Sequence, residues 1–76
     1  MDIELVIVHN DEKLGTVYVY PDGTIIAEYV KHSPSGMVRD ETILTQGGKY
    51  KEFSTIDEAT KRVYEKYHDA LAWSKR

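Results

Sequence analysis

The chain begins with short apolar runs separated by polar turns. Ile3, Leu5, Val6, Ile7 and Val8 form a dense apolar run with a β-branched bias, and His9 to Lys13 follow it as a polar segment. An apolar run of this length, bounded by turn residues, is typical of a largely buried strand. We therefore predict a buried strand over about residues 2–9 and a turn after it.

The next two runs flank the strongest local signal in the chain. Tyr20-Pro21-Asp22-Gly23 combines a proline that presets φ with a glycine that supplies a positive φ. This predicts a hairpin between strands at about 14–20 and 24–32. A type I turn with a glycine bulge sets two cross-strand pairs on the core face and two on the other face. The core pairs are Val19 with Ile25 and Val17 with Ala27, and the outer pairs are Tyr18 with Ile26 and Thr16 with Glu28.

A second hairpin is predicted in the following segment. Ser33 to Gly36 interrupt the strand pattern with turn-forming residues. Gly47-Gly48 offers a two-residue turn between strands at about 37–46 and 49–53. Pairing Gln46 with Lys49 across this turn places the side chains on alternate faces. Leu44 and Phe53 share one face, whereas Ile43, Tyr50 and Glu52 share the other.

The last quarter of the chain carries a helix signature. Thr55 and Glu58 have the spacing of a capping box, and Asp57 is favoured by the helix dipole. The pattern predicts a helix over about 56–73. Its apolar stripe contains Ile56, Ala59, Val63, Tyr67, Ala70 and Leu71.

Together these elements predict an α+β fold: an antiparallel sheet of four to five short strands packed against one C-terminal α-helix, in a single domain over residues 1–76. Because 41% of the 76 residues are hydrophobic and no cysteine is present, we expect a folded chain without disulfides. Asp2 and Glu4 do not suit a signal peptide, and no apolar run is long enough for a membrane span. We therefore expect a cytoplasmic protein with no membrane partner.

The hairpin and the capped helix resemble a known family. The residues that carry the likeness are Gly15-Thr16-Val17-Tyr18, Asp22-Gly23-Thr24, Ala27, Lys51, Phe53, Thr55 and Glu58-Ala59. In this pattern residues 14–70 resemble the arm-type DNA-binding domain of phage-type tyrosine integrases and its AP2-like relatives. The resemblance implies a three-stranded sheet backed by one helix, with DNA contacts from outward side chains around Tyr18, Tyr20, Ile26 and Glu28.

No set of side chains in the sequence predicts catalysis or metal binding. His9, His32 and His68 lie in a turn, at a strand end and on the helix, without ligand spacing. Asp40 and Glu41 are adjacent and therefore point to opposite faces of a strand. We expect a protein that is not an enzyme and takes no cofactor and no metal.

Tyrosine is the residue type that points to binding. The chain has six tyrosines, and residues 1–46 hold eight acidic but only three basic side chains. Tyrosine is enriched at protein interfaces. We therefore expect a small non-enzymatic binding protein of the accessory kind found in phages or mobile elements, which binds and inhibits a nucleic-acid-processing protein. Its expected contact residues on an acidic sheet face are Tyr18, Tyr20, Ile26, Glu28, Asp40, Glu41 and Tyr50.

The alternative is a DNA-binding module of the arm-type or AP2-like kind. Its expected contact residues are the basic side chains Arg39, Lys49, Lys51, Lys61, Arg62 and Lys66, with Lys75 and Arg76 extending the set. Under either hypothesis the partner is a macromolecule, a basic protein or nucleic acid. A homo-oligomer is also compatible with so small a core.

Overall fold

Three successive hairpin connections determine the order of the sheet. The computed structural model describes residues 2–74, with one four-stranded antiparallel sheet in the order β1-β2-β3-β4. The strands are β1 (Ile3–His9), β2 (Glu12–Val19), β3 (Ile25–His32) and β4 (Val38–Thr42), and the helix α1 spans Ile56–Ser74. The predicted α+β class is confirmed. Lys75 and Arg76 lie outside the described residues.

The β2–β3 hairpin forms in the predicted register. Val17 pairs with Ala27 and Val19 with Ile25. The Gly23 N–H donates to the Tyr20 carbonyl at 2.9 Å, and Gly23 has a φ of 90°, as the turn requires. Because the Thr24 N–H donates to the Asp22 carboxylate at 2.9 Å, the pKa of Asp22 lies below its ordinary value.

The turn between β1 and β2 is tighter than the polar segment suggests. Asn10 and Asp11 both have a positive φ, 52° and 64°, which gives a two-residue turn and lets β2 begin at Glu12. Ile7 pairs with Gly15, but Val8 pairs with Lys13. Residue 14 is therefore the extra residue of a β-bulge in β2.

The helix packs on the middle of the sheet. At its start, the Thr55 hydroxyl accepts a hydrogen bond from the Glu58 N–H at 3.1 Å. Ala59, Val63 and Tyr67 are buried against the sheet, whereas Ile56 is exposed. The core comprises Ile7, Leu14, Val17, Ile25, Ala27, Val30, Ile43, Phe53, Ala59, Val63 and Tyr67. Among the described residues, no helix is both long and apolar enough to cross a membrane.

The predicted register of the last hairpin is wrong by one residue. Leu44 pairs with Tyr50, and the Thr45 N–H donates to the Lys49 carbonyl at 2.7 Å. The loop therefore has three residues rather than two, which moves Leu44 to the exposed face. Ile43 and Phe53 are buried instead.

The segment after this loop forms only one isolated bridge rather than a fifth strand. Backbone hydrogen bonds nevertheless hold its end to the sheet, since the Phe53 N–H donates to the Ile25 carbonyl at 2.8 Å. The preceding strand β4 ends at Thr42, four residues before the predicted limit at residue 46.

Strand β1 is not the buried strand that its composition suggests. Only Ile7 is buried, while Ile3, Leu5, Val6 and Val8 are exposed. The reason is position: β1 forms one edge of the sheet, and the helix packs mainly on β2 and β3. An apolar, β-branched run predicts a strand but does not determine whether another element covers it.

Gly15 lies where β2 has no room for a side chain, between the backbone of β3 and the Val63 side chain of α1. A β-carbon at this position would collide with the Glu28 carbonyl oxygen and would lie 2.6 Å from the Val63 Cγ1 atom. We expect Gly15→Ala to lower the free energy of unfolding by about 2 kcal/mol because the Glu28 backbone and the Val63 side chain would both have to shift. Urea denaturation measures this change.

The control is Gly47→Ala, whose new methyl group would meet only the Thr45 hydroxyl oxygen at an ordinary 3.8 Å. Its stability should match that of the parent protein. Equal stability of the Gly15 variant and the parent would contradict the close approach of Val63.

Candidate functional site

A shallow groove lies on the face of the sheet that the helix does not cover. Its floor is Ile26, which alternates with the core residues Ile25 and Ala27 and therefore points away from the helix. The groove has a volume of about 580 Å³. It is lined by Tyr20, Pro21, Asp22, Thr24, Ile26, Tyr50 and Glu52, and we call it the tyrosine groove.

Two turns position the aromatic walls of the tyrosine groove. Tyr20 precedes the β2–β3 turn and is 38% exposed, whereas Tyr50 follows the 45–49 turn and is 65% exposed. Leu44, the cross-strand partner of Tyr50, is also exposed. Ile26 lies on the outer face as predicted, but it is only 8% exposed, so it can be contacted only as the floor of the groove.

The charges around the tyrosine groove are negative. Its charged lining residues are Asp22 and Glu52. Farther along the same sheet face, the Tyr18 hydroxyl donates to the Glu28 carboxylate at 3.4 Å. Partial burial raises the pKa of Tyr18, and the nearby charges of Glu28 and Glu4 raise it further. The phenol therefore stays neutral beside these carboxylates at neutral pH.

Asp40 and Glu41, two other predicted protein-binding residues, lie in β4 and not in the tyrosine groove. Asp40 pairs with Val30 and lies at the far end of β3 from the tyrosine groove. Glu41 pairs with Tyr29 and therefore lies on the opposite face of the sheet from Asp40, where its carboxylate forms an ion pair with the Arg39 guanidinium at 2.7 Å. Burial and the Glu41 charge raise the pKa of Tyr29. The predicted set thus has one group at the groove, Tyr20, Ile26 and Tyr50, with Tyr18 and Glu28 beside it.

The predicted nucleic-acid-binding residues are spread over three parts of the fold. Arg39 lies in β4, Lys49 and Lys51 follow the loop after Gln46, and Lys61, Arg62 and Lys66 lie on α1. Several already have local partners. Besides the ion pair of Arg39, Arg62 lies 3.7 Å from the Glu65 carboxylate, and the Lys51 ammonium lies 5.9 Å from the centre of the Phe53 ring.

A second cavity was not predicted from the sequence. We call it the Tyr67 cavity, and it is lined by Glu12, Lys13, Val30, His32, Val38, Arg39, Asp40 and Tyr67. The Tyr67 hydroxyl donates to the Glu12 carboxylate at 2.7 Å, and the rings of His32 and His68 lie edge-on to Tyr67 at 5.9 and 5.7 Å.

Sequence spacing could not reveal the Tyr67 cavity because 55 residues separate Glu12 from Tyr67. The one available signal was the polar hydroxyl of Tyr67 on an otherwise apolar helix stripe, since a buried tyrosine hydroxyl generally needs a partner. Within residues 2–74, no group of three or more His, Cys, Asp or Glu side chains is arranged to hold a metal ion.

Comparison with family models, curated proteins and solved structures finds no match for this chain.

The Tyr67–Glu12 hydrogen bond makes stability depend on pH. This bond, followed by burial, raises the pKa of Tyr67 above its ordinary value of 10.0. The stabilisation is complete below pH 10 and is lost as the pH rises through the raised pKa, because the folded state holds the phenolic proton more tightly. We expect Tyr67→Phe to lower the free energy of unfolding by about 1 kcal/mol at pH 7.

Urea denaturation at pH 7 to 11 should show the difference between Tyr67→Phe and the parent protein shrinking at the alkaline end. The matched control is Tyr64→Phe, one turn earlier on α1, because the Tyr64 hydroxyl makes no hydrogen bond within residues 2–74. A pH-independent difference for Tyr67→Phe would contradict this assignment.

Proposed function

We propose that this protein is a non-enzymatic protein-binding domain that docks through the tyrosine groove onto a cationic protein surface. The observation that carries the proposal is the composition of the groove. Two exposed tyrosines, Tyr20 and Tyr50, stand over an apolar floor, and the charged residues of the lining are both acidic. Anchoring aromatic side chains with a polar rim are characteristic of protein interfaces.

The groove favours a partner segment with an apolar side chain next to arginine or lysine. The apolar side chain would contact Ile26, and a guanidinium group could stack on Tyr50 while it pairs with Glu52. The carboxylates of Glu28 and Glu4 extend the negative potential along the same face. Such a potential increases the rate of encounter with a positively charged surface.

A cationic surface of this kind is what a nucleic-acid-processing protein presents to its substrate. Occupying that surface would exclude the nucleic acid, so we propose that the chain acts as an inhibitor of such a protein. This is the accessory role expected of a small protein from a phage or another mobile element. The groove carries the acidic residues Asp22 and Glu52, which is the charge needed to replace DNA phosphates on a cationic surface.

NMR titration of the protein with short peptides tests the binding chemistry. A peptide that combines arginines with one leucine should shift the backbone amide signals of Tyr20, Ile26, Tyr50 and Glu52. A peptide with glutamates in place of the arginines should leave them unchanged. Tyr50→Ala should weaken binding of the basic peptide about tenfold, which is close to the loss typical of an aromatic anchor.

The matched control for Tyr50→Ala is Met37→Ala. Met37 is similarly exposed, at 70%, but precedes β4 and is not part of the groove lining. It should bind the basic peptide with parental affinity. Equal binding of acidic and basic peptides, or shifts that map to α1 instead, would rule out the proposed surface.

The second candidate function, a DNA-binding module, is supported by the order of the elements. Strands β2, β3 and β4 form a three-stranded antiparallel unit followed by a single helix, as the arm-type resemblance implies. Lys49 and Lys51 are the basic side chains beside the loop that connects Thr45 to Lys49. The acidic lining of the tyrosine groove opposes DNA binding by that face, which is why we rank this function second.

Gel-shift titration with duplex DNA at low salt separates the two functions. A DNA-binding module should shift the duplex, weaken steeply with added salt, and lose affinity in a Lys49→Gln/Lys51→Gln variant. An inhibitor that uses the tyrosine groove should give no shift at high micromolar protein. Salt-sensitive binding that the lysine changes abolish would therefore favour the DNA-binding function.

A further inference from the structure

Strand β1 combines an open sheet edge with exposed apolar side chains. Ile3, Leu5, Val6 and Val8 are all exposed, and the strand contains no proline, lysine or arginine between residues 3 and 9. Natural sheet edges are usually protected by such residues. Strand β4, at the other edge, carries three charged residues within its five positions. The two edges of this sheet are therefore chemically different.

The hydrogen-bonding pattern identifies which backbone groups β1 leaves open. The Ile43 N–H donates to the Ala27 carbonyl, so the polar groups of Ala27 point toward β4. Along each strand of an antiparallel sheet, the N–H and C=O groups of successive residues point alternately to the strand on one side and to the strand on the other. Following this alternation through the observed pairs, Val17 bonds toward Leu5, and the backbone groups of Glu4, Val6 and Val8 point outward.

We propose that β1 pairs antiparallel with β1 of a second copy of this chain, in a symmetric register centred on Val6. Val6 then faces Val6 of the second copy, and Glu4 faces Val8 of the second copy. All three outward residues of each strand become hydrogen-bonded, which gives about six new backbone hydrogen bonds. On the helix side of the sheet, Leu5 faces Ile7 of the second copy, and this contact covers the surface that Leu5 exposes in the single chain.

Charge complementarity selects this register. Val8 pairs with Lys13 in the observed sheet, and both residues are exposed. Glu4, placed opposite Val8 of the second copy, therefore lies two strands from Lys13 of that copy, at a Cα separation of about 10 Å. Extended glutamate and lysine side chains together cover this distance. The two-fold axis generates the ion pair twice.

Neighbouring symmetric registers lack this complementarity. A register centred on Leu5 places Glu4 opposite Val6, whose β2 partner is the uncharged Thr16. A register centred on Glu4 brings two carboxylates directly opposite each other, which is destabilising. A shift of one residue in a single strand is excluded because it would reverse the faces of the sheet.

The dimer would form a continuous eight-stranded sheet with a two-fold axis perpendicular to it. Both tyrosine grooves then lie on the same face. This arrangement would let one dimer engage two cationic sites of a partner, with the gain in avidity that linked sites provide. The dimer itself does not depend on the proposed binding function.

Sedimentation velocity over the micromolar range tests the proposal. The parent protein should sediment at twice its mass of 8.8 kDa. Val6→Lys should raise the dimer dissociation constant at least tenfold, because the axis brings two ammonium groups together. The control is Val38→Lys on β4, since Val38 is 57% exposed and Val6 55%. This control variant should remain dimeric.

Two further variants test the register. Glu4→Lys and Lys13→Glu should each weaken the dimer, and the double variant should restore it. The chain has no cysteine, so Val6→Cys introduces a single thiol. Directly opposed residues of a hydrogen-bonded pair lie about 5.5 Å apart at Cα, within disulfide range. Val6→Cys should therefore cross-link on oxidation, whereas Val8→Cys, about 14 Å from its own copy, should not.

A parent protein that stays monomeric throughout this concentration range would overturn the proposal and leave the edge to a strand of a different protein. So would a dimer that survives Val6→Lys, or one in which Val8→Cys cross-links more readily than Val6→Cys. Far-UV circular dichroism spectra of the lysine variants should match that of the parent, which separates loss of dimer from loss of fold.

Discussion

The close packing of Val63 on Gly15 is the constraint on which the rest of the fold depends. A helix can approach a strand this closely only where no β-carbon intervenes, and Gly15 provides that position in β2. Ala59 and Tyr67 extend the contact by one helical turn on each side. The contact places α1 across β2 and β3, so the helix leaves the rest of the sheet uncovered.

This placement explains where the exposed features lie. One face of the sheet remains open and carries the tyrosine groove, because α1 packs only on the other. Edge strand β1 lies beside the helix contact and not under it, so only Ile7 reaches the core. Residues 2–74 form no second helix that could cover either surface. The proposed partner surface and the proposed dimer edge share this origin.

Local signals in the sequence were sufficient for the parts of the fold that short-range chemistry determines. Pro21, Asp22 and Gly23 specify a turn by their own backbone preferences, and the turn then determines the pairing of Val17 with Ala27. Thr55 likewise caps the helix by a hydrogen bond within its own first turn. The presence of the strands and the apolar stripe of the helix follow from the spacing of the apolar residues. Of the candidate site, Tyr20, Ile26 and Tyr50 could be predicted to share a face.

The sequence by itself determined the α+β class, the β2–β3 turn and the helix start, because each depends on residues a few positions apart. Tertiary structure alone decided the burial of β1, the register of the segment around Leu44 and the meeting of Glu12 with Tyr67. These depend on which elements lie beside one another, and no local preference encodes that. The physical reason is that burial belongs to a contact between distant segments, whereas turns and caps belong to the segment itself.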